Sequence, residues 1–289
     1  MSFTRDIEDY PDGIVLPIDK PYRWTSADVI RKIKYAAIRH FGKKILKVGH
    51  AGTLDPLATG LLLVCIGPAT RRAEELQRSR KRYLAGVSFG ATTPSYDLEK
   101  PIDREYPLDG VSEESVRAIL PSFLGEQEQI APLFSAKSVD GKRVYETARK
   151  LYKQGLPVEA EGILQANSIT IYDIKLVGFG NNQYEISPCA SLSRNDTPFV
   201  ISSECNESRN LFIDDGKGRI RVADISGYQL PTAMIDVECS KGTYIRALAR
   251  DLGEALGSGA FLSSLRRTFN GGFTIDQALT LDQALELLD

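Results

Sequence analysis

The sequence predicts an α+β fold, and three observations carry that prediction. Apolar runs of strand length and amphipathic runs of helical length are interleaved without a regular βαβ period, which disfavours a doubly wound sheet. From Lys81 to Gly90, the residues Tyr83, Ala85, Val87 and Phe89 recur at period two and share one face of a strand. Thr25 and Asp28 have capping-box spacing, and Val29, Ile30, Ile33, Ala37 and Phe41 follow at helical spacing.

The elements follow in chain order. Gly13 to Ile18 reads as an opening strand, and the Thr25 cap starts the first helix. A buried strand is expected from near Leu61, because Leu61 to Ile66 is continuously apolar. Ser112 to Leu120 reads as a helix stopped by Pro121, and Gly141 to Tyr152 as a shorter basic one. Ser168 to Val177 and Gln183 to Leu192 read as strands. Thr243 to Leu256 is an amphipathic helix closed by the Gly257-Ser258-Gly259 break. No tandem repeat or low-complexity tract is present.

The chain of 289 residues is 42% hydrophobic and 26% charged, as an ordinary globular protein is. Neither a bilayer-length apolar run nor a secretory h-region is found, which places the protein in the cytoplasm and away from membranes. Cys65, Cys189, Cys205 and Cys239 are spaced irregularly, giving neither a zinc motif nor a disulfide framework. With only His40 and His50 besides, no metal site is expected.

Net charge is −2, but its distribution is uneven. Arg31, Lys32, Lys34, Arg39, Lys43, Lys44 and Lys47 form one basic run without an intervening acid. A second run spans Arg71 to Arg82, and a third spans Lys137 to Lys153. From Asp97 to Glu128, acids outnumber bases. Each run alone reads as a solvated helix face; three together favour a basic face that neutralises phosphates.

Gly49-His50-Ala51-Gly52-Thr53-Leu54-Asp55-Pro56 sets one carboxylate between glycines and ahead of a proline. Pro56 excludes the helical conformation for Asp55, so the carboxylate sits on a sharp loop braced by the strand that follows. On its own, Asp-Pro is a turn signal. Its context gives it more weight. This loop resembles the signature of the tRNA pseudouridine synthase B (TruB) family, Gly-His-x-Gly-x-Leu-Asp-Pro. Further blocks resemble that family in the same order: Lys20-Pro21-Tyr22-Arg23-Trp24-Thr25-Ser26, Lys81-Arg82-Tyr83 with Phe89-Gly90-Ala91-Thr92-Thr93, Pro132 to Lys137 with Gly141, Arg143 and Tyr145, Cys239 to Arg246, and Leu265-Arg266-Arg267-Thr268.

The resemblance implies a pseudouridine synthase fold, a mixed and mainly antiparallel sheet flanked by helices, with an RNA-gripping thumb at about residues 127–153. It implies isomerisation of the T-loop uridine of tRNA, with that nucleotide flipped from its stack. Asp55 is the expected catalytic carboxylate, attacking C1′ or removing a 2′ proton; the residues leave both routes open. Arg246 is expected to pair with it and Tyr83 to stack on uracil. Leu265 is expected to line the uracil pocket, Lys20 and Tyr244 to support the site, and His50 either to contact the RNA loop around the flipped nucleotide or to satisfy backbone groups as a neutral ring. Arg71, Lys137 and Arg143 are expected to contact RNA. The reaction involves no redox change, so neither cofactor nor metal is expected. A monomer acting on the tRNA T stem-loop without an obligate protein partner is implied.

Two departures from the family pattern stand out. Residues 1–289 read as one catalytic domain, with only Thr268 to Asp289 after Arg267, so a C-terminal RNA-binding PUA domain is expected to be missing. About residues 193–230 form an apparent insertion, in which Asn210 to Val222 reads as a β-hairpin around a glycine turn. The first block also carries Tyr22-Arg23-Trp24 where many relatives have a glycine. Three rival readings are a guide-RNA-dependent synthase, which generally needs a PUA domain, an RNA chaperone without chemistry, and an aspartate-dependent hydrolase. The hydrolase would require further clustered carboxylates or a metal, and the sequence near Asp55 supplies neither.

Overall fold

The computed structural model describes residues 3–132, 138–139, 142–143, 166–181, 220 and 222–289. These residues form two compact units. The first draws on Met1–Leu84 and Leu265–Asp289, the second on Ala85–Glu185 and Arg221–Ser264.

In the first unit the chain runs through strand β1 (Ile14–Lys20), helix α1 (Ser26–His40), β2 (Val48–His50), β3 (Ala58–Ile66) and α2 (Ala73–Arg78). The expected capping box is present: Thr25 accepts from the Asp28 backbone, and Asp28 accepts from Thr25. Val29, Ile33 and Ala37 of α1 are buried, as their spacing requires, and Ile30 lies at the margin. β3 is the organising strand. β1 lies antiparallel along one edge, from Ile14↔Ile66 to Lys20↔Gly60. The other edge carries β2 antiparallel, Val48↔Ile66 to His50↔Val64, and the Leu265–Arg267 stretch parallel to Ala58–Gly60. Every residue from Leu61 to Ile66 is fully buried, as in a strand covered on both faces. Leu61, Leu63 and Cys65 join Ala51, Ala69, Leu76 and Ile275 in one apolar cluster. Each such aliphatic side chain contributes roughly 1.5–3 kcal/mol of burial.

β3 begins at Ala58, three residues earlier than the apolar run suggests, because the parallel pairing with Leu265–Arg267 extends it. That pairing is close at Gly60. Its φ is +94°, and a Cβ there would lie 2.3 Å from the Arg267 carbonyl oxygen, so glycine is required.

Strand β4 (Lys81–Phe89) is cut by the unit boundary after Leu84, and β12 (Ala260–Asn270) by the boundary before Leu265. The alternation read for β4 captures only half of its burial. Leu84, Gly86 and Ser88 are buried as well as Tyr83, Ala85, Val87 and Phe89, which marks an interior strand.

The second unit adds the short pair β5 (Ala91–Thr92) and β6 (Arg104–Glu105), then α3 (Glu113–Ile119), β7 (Gly125–Gln129), β10 (Asn167–Asn181), β11 (Pro231–Cys239) and α4 (Ile245–Ala255). Here the strand order is β4-β11-β10-β7, with β10 antiparallel to both β11 and β7. The α3 helix ends before Pro121 as expected, with Ser112 as its N-cap, and Leu120–Phe123 follows as a 3-10 turn with Pro121 in its first positions. The basic helix expected from Gly141 does not start there. Lys142–Arg143 (β9) is extended and pairs with Ser138–Val139 (β8); residues 144–152 lie outside the described residues, as do the expected strand from Gln183 and the hairpin from Asn210. α4 matches the amphipathic helix, and Gly257 adopts φ +64° just beyond its end. In the first unit the chain closes with β13 (Phe273–Thr274) and α5 (Leu281–Glu286). The architecture is α+β, with a mixed and mostly antiparallel set of strands flanked by helices.

Candidate active site

Within the first unit, β2 delivers the chain to Ala51 and β3 takes it away from Ala58. The intervening loop presents Asp55, half-buried, on a turn in which Ala58 N donates to Asp55 O at 3.1 Å. Four side chains from distant parts of the unit hold this loop by its backbone. Asn270 Nδ2 donates to Ala51 O at 3.0 Å, and Arg267 Nη2 to Gly52 O at 3.1 Å. Ser26 Oγ accepts from Leu54 N at 2.9 Å and donates to Leu54 O at 3.2 Å. Lys20 Nζ donates to Pro56 O at 3.2 Å, just past the aspartate. All four are buried. A carboxylate whose loop is anchored on both sides is preorganised, because little of it remains to be ordered when substrate arrives.

Lys20 is fully buried and also donates to Pro21 O at 2.9 Å and to Trp24 O. Burial lowers its pKa to about 7; the Asp55 carboxylate opposes that shift, and the Arg267 guanidinium adds to it. Arg23 adopts φ +62°, the left-handed conformation that glycine takes without strain, and its Nε donates to Ile220 O at 3.0 Å.

His50 ends β2. Burial, and then the charge of Arg267, push its pKa below the ordinary imidazole value, so the ring is neutral at pH 7. Its buried Nδ1 has no hydrogen-bond partner among the described residues. Tyr83 lies on β4 and is 9% exposed. Leu265 pairs directly with Ala58, three residues beyond Asp55. Arg71 is exposed at the end of the Gly67–Arg72 turn.

The second unit holds the other expected residues. Arg246 lies in the first turn of α4, 4% exposed, with Nη1 3.6 Å from Asp97 Oδ2 and 3.2 Å from Ser95 O. Asp97 is itself oriented: its Oδ1 accepts from Ser95 Oγ at 2.6 Å and from Glu99 N at 2.9 Å. Tyr244 caps α4 through its backbone and is half-buried. Lys137 lies outside the described residues, and Arg143 is placed only as part of β9.

The structure therefore brings Lys20 and His50 to the flanks of the Asp55 loop with Leu265 on the neighbouring strand, and gathers Arg246 and Tyr244 at the start of α4. Sequence reasoning missed Ser26, Asp97, Arg267 and Asn270. Arg267 and Ser26 belong to motif blocks already noticed, which was a usable signal. Asp97 and Asn270 had none, since the residues they meet are remote in sequence. Among the described residues no cluster of His, Cys, Asp and Glu has the makeup of a metal site.

Comparison with known proteins adds to this geometry. Residues 39–191 match a family model described as TruB family pseudouridylate synthase (N terminal domain), and residues 246–288 match one described as tRNA pseudouridylate synthase B C-terminal domain. The chain is 43% identical to tRNA pseudouridine synthase B of Phocaeicola vulgatus over 281 residues, covering 97% of this chain and 95% of that protein. It is 33% identical to the protein of the same name from Deinococcus radiodurans, over 94% of this chain and 78% of that one. Among solved structures, the crystal structure of a Cbf5-Nop10-Gar1 complex superposes with a TM-score of 0.57 at 23% identity, covering 97% of this chain. An H/ACA RNP bound to a substrate RNA containing 2′-deoxyuridine gives a TM-score of 0.54 at 21% identity and 99% coverage. This chain spans 56% and 57% of those two chains' lengths, and at such identity the likeness is one of fold.

Proposed function

The chain belongs to the TruB family of pseudouridylate synthases, and from that premise we propose that it converts the T-loop uridine of tRNA to pseudouridine with Asp55 as the catalytic carboxylate. The observation that carries the proposal is the bracing of the Asp55 loop: a single carboxylate is held by backbone anchors at Ala51, Gly52, Leu54 and Pro56. An ordinary surface turn requires no such support.

The reaction breaks the C1′–N1 bond, turns the uracil and joins C5 to C1′; the C5 proton leaves to solvent and N1 takes up a proton, so the atoms balance without an added reactant. Asp55 either attacks C1′ or removes the 2′ proton, and both routes require the ionised form. The target nucleotide must leave its stack to reach the carboxylate. Tyr83 then stacks on the base, Leu265 forms an apolar wall, and His50 offers Nδ1 to the rearranged loop of RNA. The motif, rather than the geometry of either unit, assigns Arg246 the role of countercharge to the reacting carboxylate. Arg71, Lys137 and Arg143 contribute phosphate contacts, and the enzyme acts as a monomer without a protein partner.

The test is tritium release from T-arm RNA labelled at uridine C5, using purified protein alone. Release by wild type, and none by Asp55→Asn despite intact RNA binding, is the expected result. Binding without release by either protein would leave an RNA chaperone and remove the catalytic reading.

A further inference from the structure

Gln129 is the last residue of β7, is 2% exposed and is the one buried position of a strand whose other residues are exposed or half-buried. Its carboxamide grips the main chain of Tyr244 at two points: Oε1 accepts from Tyr244 N at 2.8 Å, and Nε2 donates to Tyr244 O at 3.2 Å. Tyr244 is the N-cap of α4, and its own side chain makes no cap hydrogen bond. Helix N-termini leave their first N–H groups without intrahelical partners. At α4, a side chain from a strand 115 residues away supplies the connection. The residue after Gln129 makes a further tie to α4, nearly two turns along. Arg250 Nη2 donates to Ile130 O at 3.3 Å, and its guanidinium lies 5.5 Å from the centre of the Tyr96 ring. Tyr96, at φ +55°, is the turn residue between Ser95 and Asp97, the two residues that receive Arg246.

We infer that Gln129 is a positioning residue for Arg246: its two-point hold on Tyr244 fixes the first turn of α4 and with it the direction of the Arg246 guanidinium. A packing role alone would be met by Met or Leu, which leave no buried carboxamide to satisfy. A lone cap would require one hydrogen bond. The reciprocal pair holds the two peptide groups that flank the Tyr244 Cα, which limits the freedom that would swing a side chain two residues on. Arg246 meets Asp97 at 3.6 Å, so a small change of direction matters; displacements near 1 Å in such groups cost on the order of 100-fold in rate. The catalytic consequence rests on the proposed role of Arg246, whereas the positioning itself does not.

The experiment compares wild type, Gln129→Met and Ser112→Ala. The last removes the α3 capping box, whose Ser112 Oγ accepts from Ser115 N at 3.1 Å, and serves as a control for a similar loss of stability. Nitrogen-15 NMR of the arginine Nε–H signals, with Arg246 assigned through Arg246→Lys, reads position directly and without RNA. The Arg246 signal is expected to shift and broaden in Gln129→Met and to stay in place in Ser112→Ala. In single-turnover assays on T-arm RNA, Gln129→Met is expected to lose about 100-fold in rate at unchanged RNA affinity. In an Arg246→Lys background the same change should cost nothing further. An unmoved Arg246 signal in a folded Gln129→Met protein overturns the inference, whatever the activity. A wild type that binds RNA but does not turn over defeats the proposed function, and the NMR comparison still decides the role of Gln129.

Discussion

Lys20→Met tests the electrostatics of the site through pH. Lys20 Nζ is buried and donates to the carbonyls of Pro21, Trp24 and Pro56. Its pKa falls from 10.5 to about 7, burial being the largest cause, with Asp55 opposing and Arg267 reinforcing. A depression of that size corresponds to about 5 kcal/mol of penalty on the charged form. Met matches the side chain's length without its charge, so it removes the penalty and leaves three carbonyls unmet at roughly 1–3 kcal/mol each. Those opposing amounts nearly cancel, and the net stability change at neutral pH is therefore a weak discriminator. The pH derivative is a strong one. Below pH 7 the lysine is protonated in both folded and unfolded chains, and the wild-type-minus-mutant difference is constant. Above pH 7 the folded state releases the proton while the unfolded chain keeps it. The unfolded state then binds more protons, so wild-type stability rises relative to the mutant. From pH 7 to pH 9 the gain is about 2 kcal/mol. Urea unfolding of both proteins at about pH 6, 7, 8 and 9 measures it, other titrating groups cancelling in the difference. A difference that stays flat across that range would refute the buried, depressed lysine.

The remaining predictions concern the frame around Asp55. Gly60→Ala sets a Cβ 2.3 Å from Arg267 O at φ +94°; the expected loss exceeds about 3 kcal/mol, and a thermal midpoint close to wild type would contradict the close approach. Arg267→Lys keeps the charge but cannot span both Leu61 O, at 2.7 Å from Nε, and Gly52 O. It should fold less stably and isomerise RNA at least about 10-fold more slowly with little change in binding, as measured by single-turnover kinetics alongside filter binding. Thr25→Ala removes the α1 capping box and should cost about 1 kcal/mol in denaturant unfolding.

What the sequence made legible follows the range of the interactions involved. The Thr25–Asp28 box depends on neighbours three residues apart and was read correctly, whereas Ser112 was read only as the start of a helix and not as its cap. The Asp55 loop was legible as a motif because glycine, aspartate and proline each restrict their own backbone. β4 was found, but its period-two pattern hid a strand buried throughout, since small residues such as Gly86 and Ser88 carry no hydrophobic signal. The early start of β3 depends on a partner more than 200 residues away, Thr59 Oγ1 meeting Leu265 O across a separation of 206. The Arg246–Asp97 pair was invisible for the same reason, as was the grip of Gln129 on Tyr244.

Arg267 shows how such remote contacts decide the chemistry. It is 1% exposed, and its hydrogen bonds go to the carbonyls of Leu61 and Gly52, which are neutral acceptors. Burial is the main cause of the lowered pKa values of Lys20 and His50, and the charge of Arg267 adds to it in each case. Near neutral pH, His50 is therefore uncharged and Lys20 is close to half-protonated. The motif Leu-Arg-Arg-Thr thus contributes more than a strand. Its second arginine anchors the loop by hydrogen bonding and adds to the burial that lowers the pKa values of Lys20 and His50 beside it.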